Sequence, residues 1–160
     1  FSLGQRRLNE KCVLFSELLL FVIFFSGATV CRSKDEERSP MSYVDFKVVL
    51  LGRENGGKTS LVYRYLHGKF AGDMPYQGTI GAAFAARRVE CKGRILTMGI
   101  WDTAGGEKYK SMSNLYYRNA KAAIICYDLT SPYSFERAQD WVHELREHEV
   151  VRDFLFCFSR

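Results

Sequence analysis

The chain has 160 residues, enough for one domain with a single buried core, and its 47% hydrophobic and 26% charged content is that of an ordinary globular chain. Its 23 basic and 18 acidic side chains leave a net charge of +5 without any basic block, so no nucleic-acid partner is inferred, although approach to an anionic membrane stays open. Cysteines 12, 31, 91, 126 and 157 form no CxxC pair and no zinc spacing, which argues against a disulfide framework and suits a reducing compartment.

The first forty residues read differently from the rest. Arg6, Arg7 and Lys11 precede an apolar run, Val13 to Phe25, broken by Ser16 and Glu17 and followed by Ser26, Gly27 and Ala28. The pattern imitates a secretory signal, yet the run falls short of the ~20 apolar residues that a bilayer span requires. Arg32 to Pro40 is charged and polar, like a linker, and Met41 stands just before the first strand, where an initiator belongs. Residues 1–40 are expected to be a leader outside the domain, disordered or spurious, and residues 41–160 the domain itself.

Val44–Leu51 reads as a strand whose main polar interruption is Lys47. Gly52–Thr59 is a loop, and a helix runs from Lys58 to about Tyr65 or His67, ending near Gly68. The loop Gly52-Arg53-Glu54-Asn55-Gly56-Gly57-Lys58-Thr59 fits G-x-x-x-x-G-K-[ST]. Such a segment leaves a strand, wraps a phosphate with inward-turned amides, and enters a helix N-terminus. Gly52 and Gly57 permit the tight path, Lys58 reaches the outer phosphates, and Thr59 offers its hydroxyl to magnesium. The expected phosphate-binding set is Gly52, Glu54, Asn55, Gly56, Gly57, Lys58, Thr59 and Ser60, joined by Gly105 further along. A phosphate loop alone leaves kinases, ATPases and GTPases open.

Ala71–Gly81, with Pro75, reads as loop. Phe84–Cys91 and Arg94–Trp101 form a hairpin around Lys92-Gly93. Asp102, at the end of that second strand, can hold magnesium, usually through water. Gly105 can bring its N–H against a terminal phosphate because no Cβ intervenes. Ala122–Tyr127 is a short apolar run suited to a buried parallel strand. Ser134 to Glu147 reads as a helix with Phe135, Ala138, Trp141, Val142 and Leu145 on one face, and Phe154–Phe158 as a last strand. The fold class is α/β: a mostly parallel sheet with one antiparallel hairpin strand and helices on both faces.

Asp102-Thr103-Ala104-Gly105 resembles the D-T-A-G signature of Ras-like GTPases. Ile80-Gly81-Ala82-Ala83-Phe84, Thr97–Trp101, Lys108–Ser113, Tyr116-Tyr117-Arg118-Asn119-Ala120 and Cys126–Thr130 resemble Rab-family motifs in order, from about Val44 to Leu145. The resemblance implies a Ras-like G domain of the P-loop NTPase fold, with GTP or GDP and Mg²⁺ as ligands. Thr79 matches the switch I threonine that engages magnesium and the γ-phosphate, so the metal set it implies is Thr59, Thr79 and Asp102. Phe84, Trp101 and Tyr116 match the hydrophobic triad read by Rab effectors. Aromatic residues serve core packing equally well, and the sequence leaves those two roles open.

Gly106 stands where Ras-like enzymes carry the glutamine that orients the attacking water, so hydrolysis is expected to be slow and no catalytic residue is assigned. Ala82-Ala83 and the missing glutamine resemble an atypical Rab branch. Glu54 stands near the expected γ-phosphate, where its carboxylate could crowd or repel it, or swing into solvent. The N/T-K-x-D and S-A-K-type guanine motifs do not occur, and Glu147–Arg160 departs from the family. The domain therefore reads as C-terminally truncated, and the lack of a final helix predicts apolar sheet surface left open to solvent. Cys157-Phe158-Ser159-Arg160 copies a C-a-a-X box only superficially, since arginine is outside the usual final set, and no lipidation site is assigned.

The resemblance implies a Mg–GTP switch on the cytosolic face of endomembranes, in vesicle traffic. Effectors, an exchange factor, a GTPase-activating protein and a prenylation escort would be its partners. The alternative is a non-hydrolysing or nucleotide-free interaction module. A P-loop kinase or ATPase is disfavoured by the switch-like segments and the lack of a candidate lid.

Overall fold

A computed structural model describes residues 44–69, 77–91, 93–105, 113–148 and 153–159. The expectations for the leader, for Gly106 and for most of the Lys108–Ser113 stretch lie outside these residues. In chain order the elements are β1 (Phe46–Gly52), α1 (Lys58–His67), β2 (Ala82–Cys91), β3 (Arg94–Thr103), α2 (Ser113–Tyr117), β4 (Ala122–Asp128), α3 (Pro132–Glu147) and β5 (Asp153–Ser159).

The five strands form one sheet in the order β2-β3-β1-β4-β5. β2 and β3 pair antiparallel across the predicted hairpin, and every other neighbour is parallel. Alternation along β1 decides the layers, because successive side chains point to opposite faces. Phe46, Val48 and Leu50 pack with Val62 and Tyr65 of α1, while Val49 and Leu51 pack with Tyr117 of α2 and with Ala138 and Leu145 of α3. Helices therefore stand on both faces, as the sequence predicts.

Helix ends follow the local chemistry. Gly57 before α1 and Gly68 after it are both left-handed, and the Gly68 N–H donates to the Arg64 carbonyl, 2.9 Å. α3 opens on Pro132, whose missing N–H costs nothing in a first turn. The loop before it is closed by Ser134, whose buried hydroxyl accepts from the Asp128 N–H at 2.9 Å. Across the two helices of that face, the Tyr117 hydroxyl donates to Glu144 Oε1, 3.1 Å; burial and that carboxylate push the phenol up to about 12.

One element is new to the sequence reading and two expectations are corrected. The five-residue helix α2 has no counterpart in the sequence reading, because so short a segment shows no period. Phe135 belongs to the helical stripe by spacing but is 45% exposed, since in the first turn of α3 it makes an edge contact with Tyr127 rather than entering the core. The apolar surface expected to lie open is not found at the described centre of the sheet, although Ile95 at the start of β3 is 73% exposed. Phe46, Val48, Leu50, Met98, Ile100, Ala122 and Ile124 are all buried, with Leu61 and Leu66 of α1 and Ala85, Val89 and Leu96 of the hairpin packed against them.

Candidate nucleotide site

The site lies at the carboxyl ends of the parallel strands β1, β3 and β4, where an α/β sheet places its ligands. β1 ends at Gly52, opposite Cys126 of β4. A Cβ on Gly52 would lie 2.0 Å from the Cys126 carbonyl oxygen, and its φ of 131° is one that side-chain-bearing residues rarely adopt. That close approach lets the loop turn tightly over the sheet edge into α1.

Lys58, the first residue of α1, is 5% exposed. Its Nζ donates to the carbonyls of Gly52 (2.9 Å) and Arg53 (2.8 Å), so the ammonium is held inside the curve of the loop. Burial pushes its pKa below the usual lysine value, opposed by Cys126, Asp102 and Glu54. The Glu54 carboxylate is thus near enough to favour the charged lysine, and its backbone N–H donates to the Gly105 carbonyl, 3.2 Å. Glu54, Asn55 and Ser60 are exposed, Ser60 in the first turn of α1, and Asn55 has a positive φ of 63°.

The three residues expected to serve a metal come together from distant parts of the chain. The Thr59 hydroxyl donates to Asp102 Oδ2, 2.7 Å. With that proton committed, the 3.0 Å contact between Thr59 Oγ1 and Thr79 Oγ1 has Thr79 as its donor. Asp102 is 4% exposed, and its Oδ1 is buried with no hydrogen-bond partner among the described residues. Burial raises the Asp102 pKa, against the lowering effects of Thr59 and Lys58. A buried carboxylate bonded to one hydroxyl, which a second hydroxyl contacts, is a set of hard oxygen donors. It fits a small divalent cation such as Mg²⁺, which takes one or two protein ligands and completes its shell with water and phosphate oxygens.

Gly105 closes the site from the β3 side. A Cβ there would fall 2.2 Å from the Glu54 nitrogen, 2.4 Å from the Arg53 carbonyl carbon and 2.6 Å from Lys58 Nζ, so only glycine fits against the loop. One residue earlier, the Ala104 N–H donates to the Gly81 carbonyl, 2.8 Å, which ties the segment after Thr79 to the end of β3. The loop, the Thr79 segment and the Asp102–Gly105 segment are thus joined by direct bonds. Gly106 lies outside the described residues.

The aromatic residues occupy a separate surface. Phe84 is 53% exposed and meets Trp101, its cross-strand partner, at 4.8 Å between ring centroids. Trp101 and Tyr116 are partly buried against the α3-side cluster. Phe84 is therefore not a core residue, while Trp101 and Tyr116 serve the core in part. The sequence reading missed two contacts here, Lys47 over the Trp101 ring (4.6 Å) and Arg53 over the Tyr133 ring (4.8 Å). Lys47 had left a signal, as the one charged residue within an otherwise apolar strand.

The Ras family profile matches residues 47–157. The chain belongs to the Ras family. Within it the chain is Rab-like: it is 48% identical over 106 residues to the Ras-related protein Rab-24 of Dictyostelium discoideum, covering 66% of this chain and 51% of that protein. It is 50% identical over 102 residues to the Ras-related protein Rab-5A of the same organism, covering 63% of this chain and 49% of that protein. To the GTP-binding protein YPT53 of Saccharomyces cerevisiae it is 40% identical over 120 residues, 73% of this chain and 54% of that protein. This Ras-family chain thus spans about half the length of the curated relatives it matches. Among its described residues no helix is long and apolar enough to cross a membrane.

Proposed function

We propose that this chain is a Rab-like small GTPase, a Mg²⁺-dependent GTP/GDP switch of intracellular membrane traffic with weak intrinsic hydrolysis. The observation that carries the reading is the buried Asp102 carboxylate, bonded through Oδ2 to Thr59, which in turn contacts Thr79, with its Oδ1 lacking a partner among the described residues and Lys58 within electrostatic reach. The relatives' names, Ras-related and GTP-binding, support the same class.

In this reading Thr59 and Thr79 hold the cation by their hydroxyls and Asp102 holds it directly or through water. The bound Mg²⁺ supplies charge neutralisation at the outer phosphates. Lys58 exchanges its carbonyl acceptors for phosphate oxygens and the Asn55 and Gly57 amides join it, while the Glu54 and Gly56 amides bond the Gly105 and Arg53 carbonyls. Because Gly105 and Gly81 are tied to the loop through Glu54 and Ala104, a ligand that moves the loop is felt at the Thr79 segment and beside Phe84. Such a coupling is what an ordering switch needs. Gly106 carries no side chain to orient water, so turnover is slow. Effectors would read Phe84, Trp101 and Tyr116. An exchange factor, an activating protein and an escort, acting on the cytosolic face of endomembranes, complete the proposal.

The test is displacement of fluorescent GDP from the full chain by GTP and by ATP. Displacement by GTP alone supports the reading, whereas equal displacement by ATP places the chain among general P-loop nucleotide binders. A second reading, a nucleotide-free interaction module, is supported by the exposed Phe84 ring against Trp101. A folded chain that retains neither nucleotide would establish it.

A further inference from the structure

Trp101 is not held by shape alone. It sits on β3 two residues after Gly99, on the same face of the sheet. A Cβ on Gly99 would fall 2.5 Å from Trp101 Cζ3 and 2.9 Å from Cη2, so the six-membered edge of the indole occupies the space where a side chain at position 99 would stand. The ring is therefore folded back along its own strand. Lys47 is the register partner of Gly99 on the neighbouring strand β1, and its Nζ lies 4.6 Å from the indole centroid. The same ammonium donates to the Arg118 carbonyl at 3.1 Å, and the Lys47 carbonyl accepts from the Lys121 N–H at 2.8 Å. Lys47 is thus pinned to the turn between α2 and β4, where Asn119 is left-handed, and cannot leave the ring without losing that anchor. On its other side the indole meets Phe84, tilted by 60°.

We propose that Lys47 is a positioning residue for the aromatic surface: its anchored ammonium, acting on a ring for which Gly99 makes room, holds Trp101 flat on the sheet so that Phe84 and Trp101 are presented in one arrangement. This rests on reading those two aromatics as a partner-binding surface. The charge matters because a cation over an indole face is attracted by the ring quadrupole, whereas an apolar chain of equal length is not. The hydrogen bond to Arg118 matters because it fixes where the charge sits. A partner that packs on Phe84 meets an indole whose angle is set before binding, which spares the cost of ordering it.

The experiment isolates Trp101 by Trp141→Phe, since the chain has 2 tryptophans. Acrylamide quenching and near-ultraviolet circular dichroism of the remaining indole are then compared for the parent, Lys47→Met, Lys47→Gln and Lys47→Arg. Ring orientations that leave Gly99 are expected to become roughly two- to fivefold more populated in Lys47→Met and Lys47→Gln. This reads as a higher quenching constant and a weaker near-ultraviolet band, with Lys47→Arg close to the parent. Lys47→Gln keeps a donor for Arg118 and serves if Lys47→Met does not fold. Unchanged quenching in a folded Lys47→Gln chain, or an equal rise in Lys47→Arg, overturns the proposal. Fluorescent GDP binding is measured in the same samples and is expected to be unchanged, because Lys47 lies five residues before the phosphate loop. Absence of nucleotide binding in every sample would remove the switch reading and leave the Lys47 result standing on its own.

Discussion

Asp102→Asn should make the ligand-free chain more stable while impairing its use of Mg²⁺. The carboxylate is buried, one oxygen bonded to Thr59 and the other orphaned. Leaving a buried polar atom without a partner costs about 1–3 kcal/mol, and more when it is charged. The asparagine oxygen can keep the Thr59 bond while its amide takes the orphaned position, which removes the charge but not the lack of a partner. A gain of about 1 kcal/mol is the reasonable part of that range, or about 2–4 °C in Tm for a chain of this size. The pH dependence has a definite sign. Burial raises the folded-state pKa of Asp102, so its contribution to stability is fully present below the ordinary value of 3.8 and is lost as pH rises through the folded pKa. Asp102→Asn removes that component, so the two proteins converge in acid and separate toward neutrality. The assay is thermal melting across pH 3–8 without nucleotide, then at neutral pH with GDP, with and without Mg²⁺. In the parent, Mg²⁺ should add to the GDP-induced rise in Tm; in Asp102→Asn that increment should vanish. A variant that melts lower than the parent without ligand, or that keeps the full Mg²⁺ increment, refutes the reasoning.

Three further outcomes are expected. Lys58→Met should lower GDP affinity at least about 100-fold in a fluorescence titration, since it removes charge-assisted bonds worth about 1.5–3 kcal/mol each. Gly105→Ala must displace backbone, because its Cβ would fall 2.2 Å from the Glu54 nitrogen; a shift near 1 Å costs about 100-fold at a positioned site, which stopped-flow nucleotide association should detect. Leu145→Ala, in a fully buried position on α3, should cost about 2–5 kcal/mol in urea denaturation.

What was legible in the sequence was mostly what is local along the chain. The phosphate loop and α1 could be read because Gly52, Gly57, Lys58 and the stop at Gly68 lie within one short stretch, and each has a backbone reason to be there. The hairpin could be read from two strand patterns around Lys92-Gly93. Thr59 and Asp102 could be read as metal donors from the loop motif and the strand end, but Thr79 only through a family resemblance, because no local rule brings Thr79 and Asp102 to Thr59 across 20 and 43 positions. Lys47 bonds a carbonyl 71 positions away, so its role emerges only when β1, β3 and the turn after α2 are assembled. Phe135 shows the opposite failure, since a correct helical period says which side a residue faces but not whether the sheet extends that far. Ser134 looked like an ordinary polar residue near a helix start, and its burial follows from the particular way the chain leaves β4.

The central claim is tested most directly by isothermal titration of the full chain with GDP and with a non-hydrolysable GTP analogue, in Mg²⁺ and again in EDTA. A nucleotide switch should show saturable binding of one nucleotide per chain for both ligands, weakened at least about tenfold when the divalent cation that would offset the phosphate charge is removed. A folded chain that gives no heat with either nucleotide, or binds equally well in EDTA, would contradict it.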